Sequence, residues 1–205
     1  MMNRFLFFIL SFFVCTSIFA QKKNAYAMEL EAYQKNYVLN HEVVPKKDKK
    51  YFHFFPVSSL YNVKCNFERI TDSTGFTMTT SAKTIKHYYK YGRLNFTISG
   101  KPYELFVYQS KDLMQVEKYR DYLFVPFTDS TTGDESYGSG RYLEFYVQDI
   151  QKNPQGSGGT VWLDFNKAYN PYCAYSSGYK CPIPPRENFI PVAIRAGEMN
   201  FGKGH

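Results

Sequence analysis

The chain has 205 residues, 25 Lys and Arg against 18 Asp and Glu, and a formal net charge of +7. It is 44% hydrophobic and 19% aromatic, with 19 Tyr and 19 Phe. That length and apolar content exclude a disordered chain and suit one domain with a real core, while basic charge scattered outside one lysine run carries no nucleic-acid signature.

Arg4 is the only charge in the first twenty residues. An apolar stretch from Phe5 to Val14 follows it, and then Ser17-Ile18-Phe19-Ala20. A positive start, an apolar middle and a small residue at the cut form the pattern of a cleavable signal peptide over residues 1–20. The run is shorter than the ~20 apolar residues a spanning helix needs, and no later segment is apolar enough for a transmembrane role. Removing twenty residues from 205 leaves 185, expected to be a single β-rich domain over 21–205. The expected location is the periplasm or the extracellular space.

Residues 24–39 predict a helix. Tyr26, Leu30, Tyr33 and Tyr37 follow one another at four, three and four residues, which is one helical face. Glu29 and Glu31 lie early in it, where negative charge suits the helix dipole. Pro45 and Lys46-Lys47-Asp48-Lys49-Lys50 mark a loop. A solvated loop is the plain reading of that run, and a patch for anionic glycans or lipid headgroups the sharper one.

The period then changes to two. Apolar and polar residues alternate over Tyr61 to Glu68, as in a half-buried strand. Phe76–Thr79, Leu94–Ser99 and Tyr103–Tyr108 continue the pattern, and Ser99-Gly100-Lys101-Pro102 reads as a hairpin turn between the last two. Tyr91-Gly92-Arg93 reads as a further tight link, and Gly156-Ser157-Gly158-Gly159 as a flexible turn. Further strands are expected over Tyr122–Phe127, Tyr142–Val147, Thr160–Phe165 and Val192–Arg195, with Pro126 pushing its strand toward an edge or bulge. The fold class is therefore mainly β: an antiparallel sandwich or partly open barrel of about nine short strands, with one N-terminal helix packed on it.

Cys65 falls on the apolar side of an alternating strand and reads as a buried thiol. Cys173 and Cys181 share one loop-like segment. In an oxidising compartment they favour a disulfide, contributing roughly 2–3 kcal/mol for so short a loop. A metal site is the rival reading. It would want closer cysteines and nearby histidines, and His41, His53, His87 and His205 lie far off in sequence. No metal or cofactor is expected.

Two segments break the strand pattern: Phe127 to Tyr142, and Leu163 to Asn188. Both combine polar groups with Gly and Pro, as loops carried by a scaffold do. Glu135 and Asp164 could act as a general acid and base on a glycan if their carboxyls lie roughly 5–10 Å apart. Arg141 could clamp an anionic group. Asp129, Tyr137, Asn166, Tyr169 and Asn170 could bind a polar ligand, a sugar or peptide groups. The competing reading is a buried network in which these groups satisfy one another and the loop backbone.

These segments resemble a bacterial family known as domain of unknown function 1684. The resemblance is carried by Asp129, Thr131, Gly133, Glu135, Tyr137-Gly138, Gly140-Arg141-Tyr142-Leu143, Leu163-Asp164-Phe165-Asn166, Ala168-Tyr169-Asn170-Pro171, Cys173-Ala174, Cys181-Pro182, Pro184-Pro185, Glu187-Asn188, Pro191-Val192-Ala193-Ile194 and Ala196-Gly197-Glu198. Thr128, Ser136 and Tyr172 depart from it. The resemblance implies no activity. The functional expectation is an exported envelope protein that binds a small polar ligand, a glycan or a partner protein, not nucleic acid. The alternatives are a glycan hydrolase using Glu135 and Asp164, and a purely structural envelope protein.

Overall fold

The computed structural model of the chain describes residues 25–71, 74–152 and 158–203. The signal segment 1–20, His205 and the front of the Gly156–Gly159 turn lie outside them. The chain separates into two compact units, Met1–Asn40 and His41–His205. In the first, residues 25–40 form a helix, α1, ending one residue beyond the expected end. Leu30, on its predicted apolar face, is fully buried.

The second unit is a curled, open half-barrel with nine strands among its described residues. In chain order these are β1 (Asn62–Arg69), β2 (Phe76–Thr79), β3 (Ile85–Ile98), β4 (Lys101–Ser110), β5 (Tyr122–Asp129), β6 (Arg141–Tyr146), β7 (Gln151–Lys152), β8 (Gly158–Asp164) and β9 (Phe189–Ile190). They run across the sheet as β6-β5-β4-β3-β1-β8-β7, with β2 also on β3 and β9 on β5. The named pairs are antiparallel except β5 with β9.

Local chemistry explains the turns. β3 and β4 pair out to Ile98 and Lys101, so the hairpin loop is Ser99-Gly100. Both have positive φ, 50° and 77°, as the two-residue loop that matches strand twist requires. Gly92 is not a link between strands. It sits inside the 14-residue β3 at a break in register against β4. A Cβ there would stand 2.3 Å from the Phe67 ring, so glycine lets β3 lie against that side chain.

Pro126 is not on an edge strand, because β5 lies between β4 and β6. β4 and β5 pair at Tyr108 and Phe124. One step on, Phe106 faces Pro126, which has no N–H to give. The Asn188 side chain fills the gap. Its Oδ1 accepts from Phe106 N at 2.8 Å, and its Nδ2 donates to Phe106 O and Pro126 O at 2.9 and 2.7 Å. A side-chain amide stands in for a strand's peptide group.

The expected strand over Val192–Arg195 does not form; the short strand in this region is Phe189–Ile190. Ile194 uses its backbone on side chains: its N donates to Asp129 and its O accepts from Arg141.

Alternation along β4, β5 and β6 makes two buried faces. Leu105, Val107, Leu123, Val125, Phe127, Leu143 and Phe145 enter the main core, with Phe165, Ile190 and Ile194 beside them. Tyr108, Phe124 and Tyr142 point the other way and form a second cluster with Met78 and Tyr88. No helix among the described residues is long and apolar enough to cross a membrane.

Candidate functional site

Most of the polar residues singled out in the sequence meet at the main-core side of β5 and β6. Arg141 and Asp129 form an ion pair at 2.7 Å, with both side chains fully buried. The Arg141 guanidinium also donates to Ala196 O, to Ile194 O at 2.8 Å and to Glu198 O at 3.2 Å. Its Nε has no hydrogen-bond partner among the described residues. The rings of Phe55 and Phe127 lie 5.6 and 5.3 Å from it. Burial pulls the guanidinium pKa down, and Asp129 pulls it back up. The second oxygen of Asp129 accepts from Thr131 N at 2.7 Å and Ile194 N at 3.2 Å.

Asn166 is fully engaged, while Asn170 uses its N–H groups and leaves its buried Oδ1 without a hydrogen bond among the described residues. Asn170 N donates to the buried Glu198 at 2.9 Å, and its Nδ2 to Met199 O at 2.8 Å. Tyr175 donates to the same carboxylate at 2.7 Å. Asn166 pairs with both backbone groups of Ser58, at 3.0 and 2.9 Å. Asp129, Arg141, Asn166 and Asn170 are therefore buried groups engaged by their own chain, and none of them lines the cavities formed by described residues. Glu198, fully buried at the centre of this arrangement, was visible only as part of the terminal Ala196-Gly197-Glu198 motif.

Glu135 and Asp164 have separate tasks. Glu135 is gripped by three hydrogen bonds of 2.8–3.0 Å from Arg195. Those bonds hold its carboxyl below the usual range, the wrong direction for a general acid at neutral pH. Asp164 Oδ1 accepts from Asn166 N at 3.0 Å, closing the turn that follows β8. Tyr137 is half-buried, and its carbonyl accepts from Gly140 N. Cys173 and Cys181 form a disulfide with Cα atoms 6.3 Å apart, and Cys65 is a buried free thiol. No group of three or more His, Cys, Asp or Glu poised for a metal ion occurs among the described residues.

The opposite face of the same strands is open. There a cavity of about 420 Å³ is lined by Tyr88, Tyr122, Phe124, Tyr142, Tyr169 and Tyr172, with Leu113, Lys86 and Lys180 among its other walls. Its floor is the second aromatic cluster of the sheet. Phe124 stacks on Tyr88 at 5.9 Å and meets Tyr142 edge-on at 4.7 Å; Tyr142 meets Tyr169 at 5.8 Å. Its roof is the strap from Tyr169 to Pro182, which the disulfide ties. The strap is anchored at both ends. Tyr169 exchanges backbone hydrogen bonds with Tyr142, while Ser81 N donates to Cys181 O at 2.9 Å and Ile183 N to Thr79 O at 2.9 Å. The Tyr142 hydroxyl donates to Pro182 O.

The tyrosine hydroxyls stay neutral. Burial raises the pKa of Tyr88, Tyr122, Tyr142 and Tyr169 well above the ordinary value, and Glu144 adds to the effect at Tyr122 and Tyr169. Those two hydroxyls converge on Glu144 Oε2 at 2.7 and 2.8 Å. Of the site residues singled out in the sequence, Tyr169 and Cys181 line this cavity. Tyr88, Tyr122, Phe124 and Tyr142 lie on strands, where alternation marks a face but not whether that face is covered.

The model of the family described as a protein of unknown function, DUF1684, matches residues 47–199. The chain belongs to this family. The matched stretch holds the cavity lining and nearly all of the buried polar centre. No curated protein matches the chain. Among solved structures, the chain is similar to the solution NMR structure of an uncharacterised protein of Haloarcula marismortui, from gene locus rrnAC0354. The two are 27% identical with a TM-score of 0.62, over 87% of this chain and 96% of that one.

Proposed function

We propose that this is an exported binding protein that takes a small molecule into the tyrosine-lined cavity between sheet and strap. The cavity carries the proposal. It is within the 300–1,000 Å³ range of small-molecule sites and is mostly apolar with a few convergent polar groups, as such sites are. The disulfide and the residue pattern over 1–20 support export, since disulfides persist in oxidising compartments. The buried polar centre is then the frame, and the cavity is the working surface. A glycan hydrolase using Glu135 and Asp164 finds no support in the separate engagement of those carboxyls.

A metabolite and glycan library read by thermal shift tests the binding. A ligand of the folded state raises Tm. Leu113→Trp, which fills the cavity, is expected to abolish the shift without lowering the Tm of the free protein by more than a few degrees. An equal shift in this variant places the ligand elsewhere and sinks the proposal. Export is checked by the mass of the protein recovered outside the cytoplasm, expected to begin at Gln21.

A further inference from the structure

Charges of opposite sign stand about the cavity: two lysines in its wall, and one exposed carboxylate beside it that holds two of the lining tyrosines. At the β6 end stands Glu144, on the strand position that faces Phe124. Its Oε2 holds the hydroxyls of Tyr122 and Tyr169. Its Oε1 has no hydrogen bond, and the carboxylate has no ion-pair partner, among the described residues. At the far end stand Lys86 and Lys180. Lys86 is on β3 opposite Met78. Lys180 precedes Cys181, whose carbonyl accepts from Ser81 in the β2–β3 turn. Both lysines line the cavity, and neither has an ion-pair partner among the described residues. β6 and β3 are three strands apart, roughly 14 Å at the ~4.8 Å strand spacing, and Lys86 lies four residues along β3 from Lys90 in the Glu144 row, an offset of roughly 13 Å along the strand. Between them lie the rings of Phe124, Tyr88 and Tyr142.

Two bases in the wall of one aromatic cavity, and an acid beside its tyrosine end, none with an ion-pair partner among the described residues, set the chemistry of a ligand. Resting on the cavity as the binding site, we infer that the ligand is a flat, amphoteric small molecule. Its amine or other donor group faces Glu144 and the tyrosine oxygens, and its acid group faces Lys86 and Lys180. Aromatic rings take its flat body, and the charges set its direction.

Four probes sharing one body test this: biphenyl with an aminomethyl group at one end and a carboxylate at the other, biphenyl with either group alone, and 4,4′-dimethylbiphenyl. Affinities are read by calorimetry on the full-length mature protein, with thermal shift for the poorly soluble member. The amphoteric probe is expected to bind at least about tenfold tighter than either singly charged one. Lys86→Ala with Lys180→Ala is expected to weaken the two carboxylates about tenfold and leave the amine-only probe unchanged. Glu144→Gln is expected to weaken the two amines and leave the carboxylate-only probe unchanged. Equal affinity of all four probes, or losses that ignore which group a probe carries, overturns the charge assignment while leaving the cavity as the site. Binding by none of the four, dimethylbiphenyl included, overturns the cavity reading and this inference with it.

Discussion

Arg141 and Tyr142 are neighbours on β6, yet they serve opposite faces of the sheet and opposite ends of a design choice. On the Arg141 side, nearly every polar group is satisfied by another group of the chain. On the Tyr142 side, hydroxyls, a carboxylate and two lysines are left with capacity to spare. The denser cluster of polar residues is held by its own chain, and the sparser one is the face to which we assign a ligand. Polar density in a sequence marks a demand for hydrogen bonds, and burial decides whether the protein meets that demand itself.

The largest expected effect is on the sealed side. Arg141→Met leaves Asp129 charged, buried and unpaired, and should lower unfolding free energy in urea by about 3–5 kcal/mol. A smaller loss would mean that water reaches Asp129, and that the two faces differ less than described.

Reducing the Cys173–Cys181 disulfide should lower stability by roughly 2–3 kcal/mol and should act on the other face. Ligand-induced thermal shift is expected to fall along with Tm, because the strap is the cavity roof. Stability lost with binding intact would detach the roof from the site.

Asn188→Leu keeps the volume and strands the buried N–H and C=O of Phe106, at about 1–3 kcal/mol. Amide hydrogen exchange should report the damage, with protection falling at the β4–β5 seam before β1 and β8. Uniform loss of protection would assign Asn188 a less local role.

A pH comparison follows from His41. Its ring lies against Phe52, Tyr172 and Tyr175 at 5.0, 5.6 and 4.6 Å, and its Nδ1 accepts from Val44 N. Burial first, and Lys49 second, push its pKa down from 6.5 to about 4. The unfolded chain then binds the extra proton between pH 6.5 and 4, so stability falls as pH falls through that window. His41→Gln should flatten this part of the profile, measured as Tm against pH. A slope unchanged by the substitution would place the sensitivity on other groups.

The smallest effect is expected at Glu135. Its pair with Arg195 is at the surface, so Glu135→Gln should leave the urea midpoint unchanged at 0.15 M salt. A loss as large as that of Arg141→Met would make this exposed pair part of the sealed centre.

What could be read from the sequence follows from the same division. The alternation of Tyr61 to Glu68 is a local property, and it became β1 as expected. The Cys173–Cys181 bridge needed only a short loop. Gly92 and Pro126 misled because the reasons for them are long-range: Phe67 on a neighbouring strand, and Asn188 far along the chain. The cavity proposed as the site was hidden for a related reason. Asp129, Arg141 and Asn170 are conspicuous as residues, but their partners include carbonyls of Ile194, Ala196 and Met199, which no side-chain pattern announces. Tyr88, Phe124 and Tyr142 looked like ordinary strand aromatics, and only the strap folded across them makes a cavity.

Those carbonyls carry a kinetic consequence. Arg141 draws its carbonyl acceptors from Ile194, Ala196 and Glu198, 53 to 57 residues further along the chain. The β5–β6 pair can therefore form from neighbouring sequence, while the sealed centre on its face has to wait for residues 194–198 to be made.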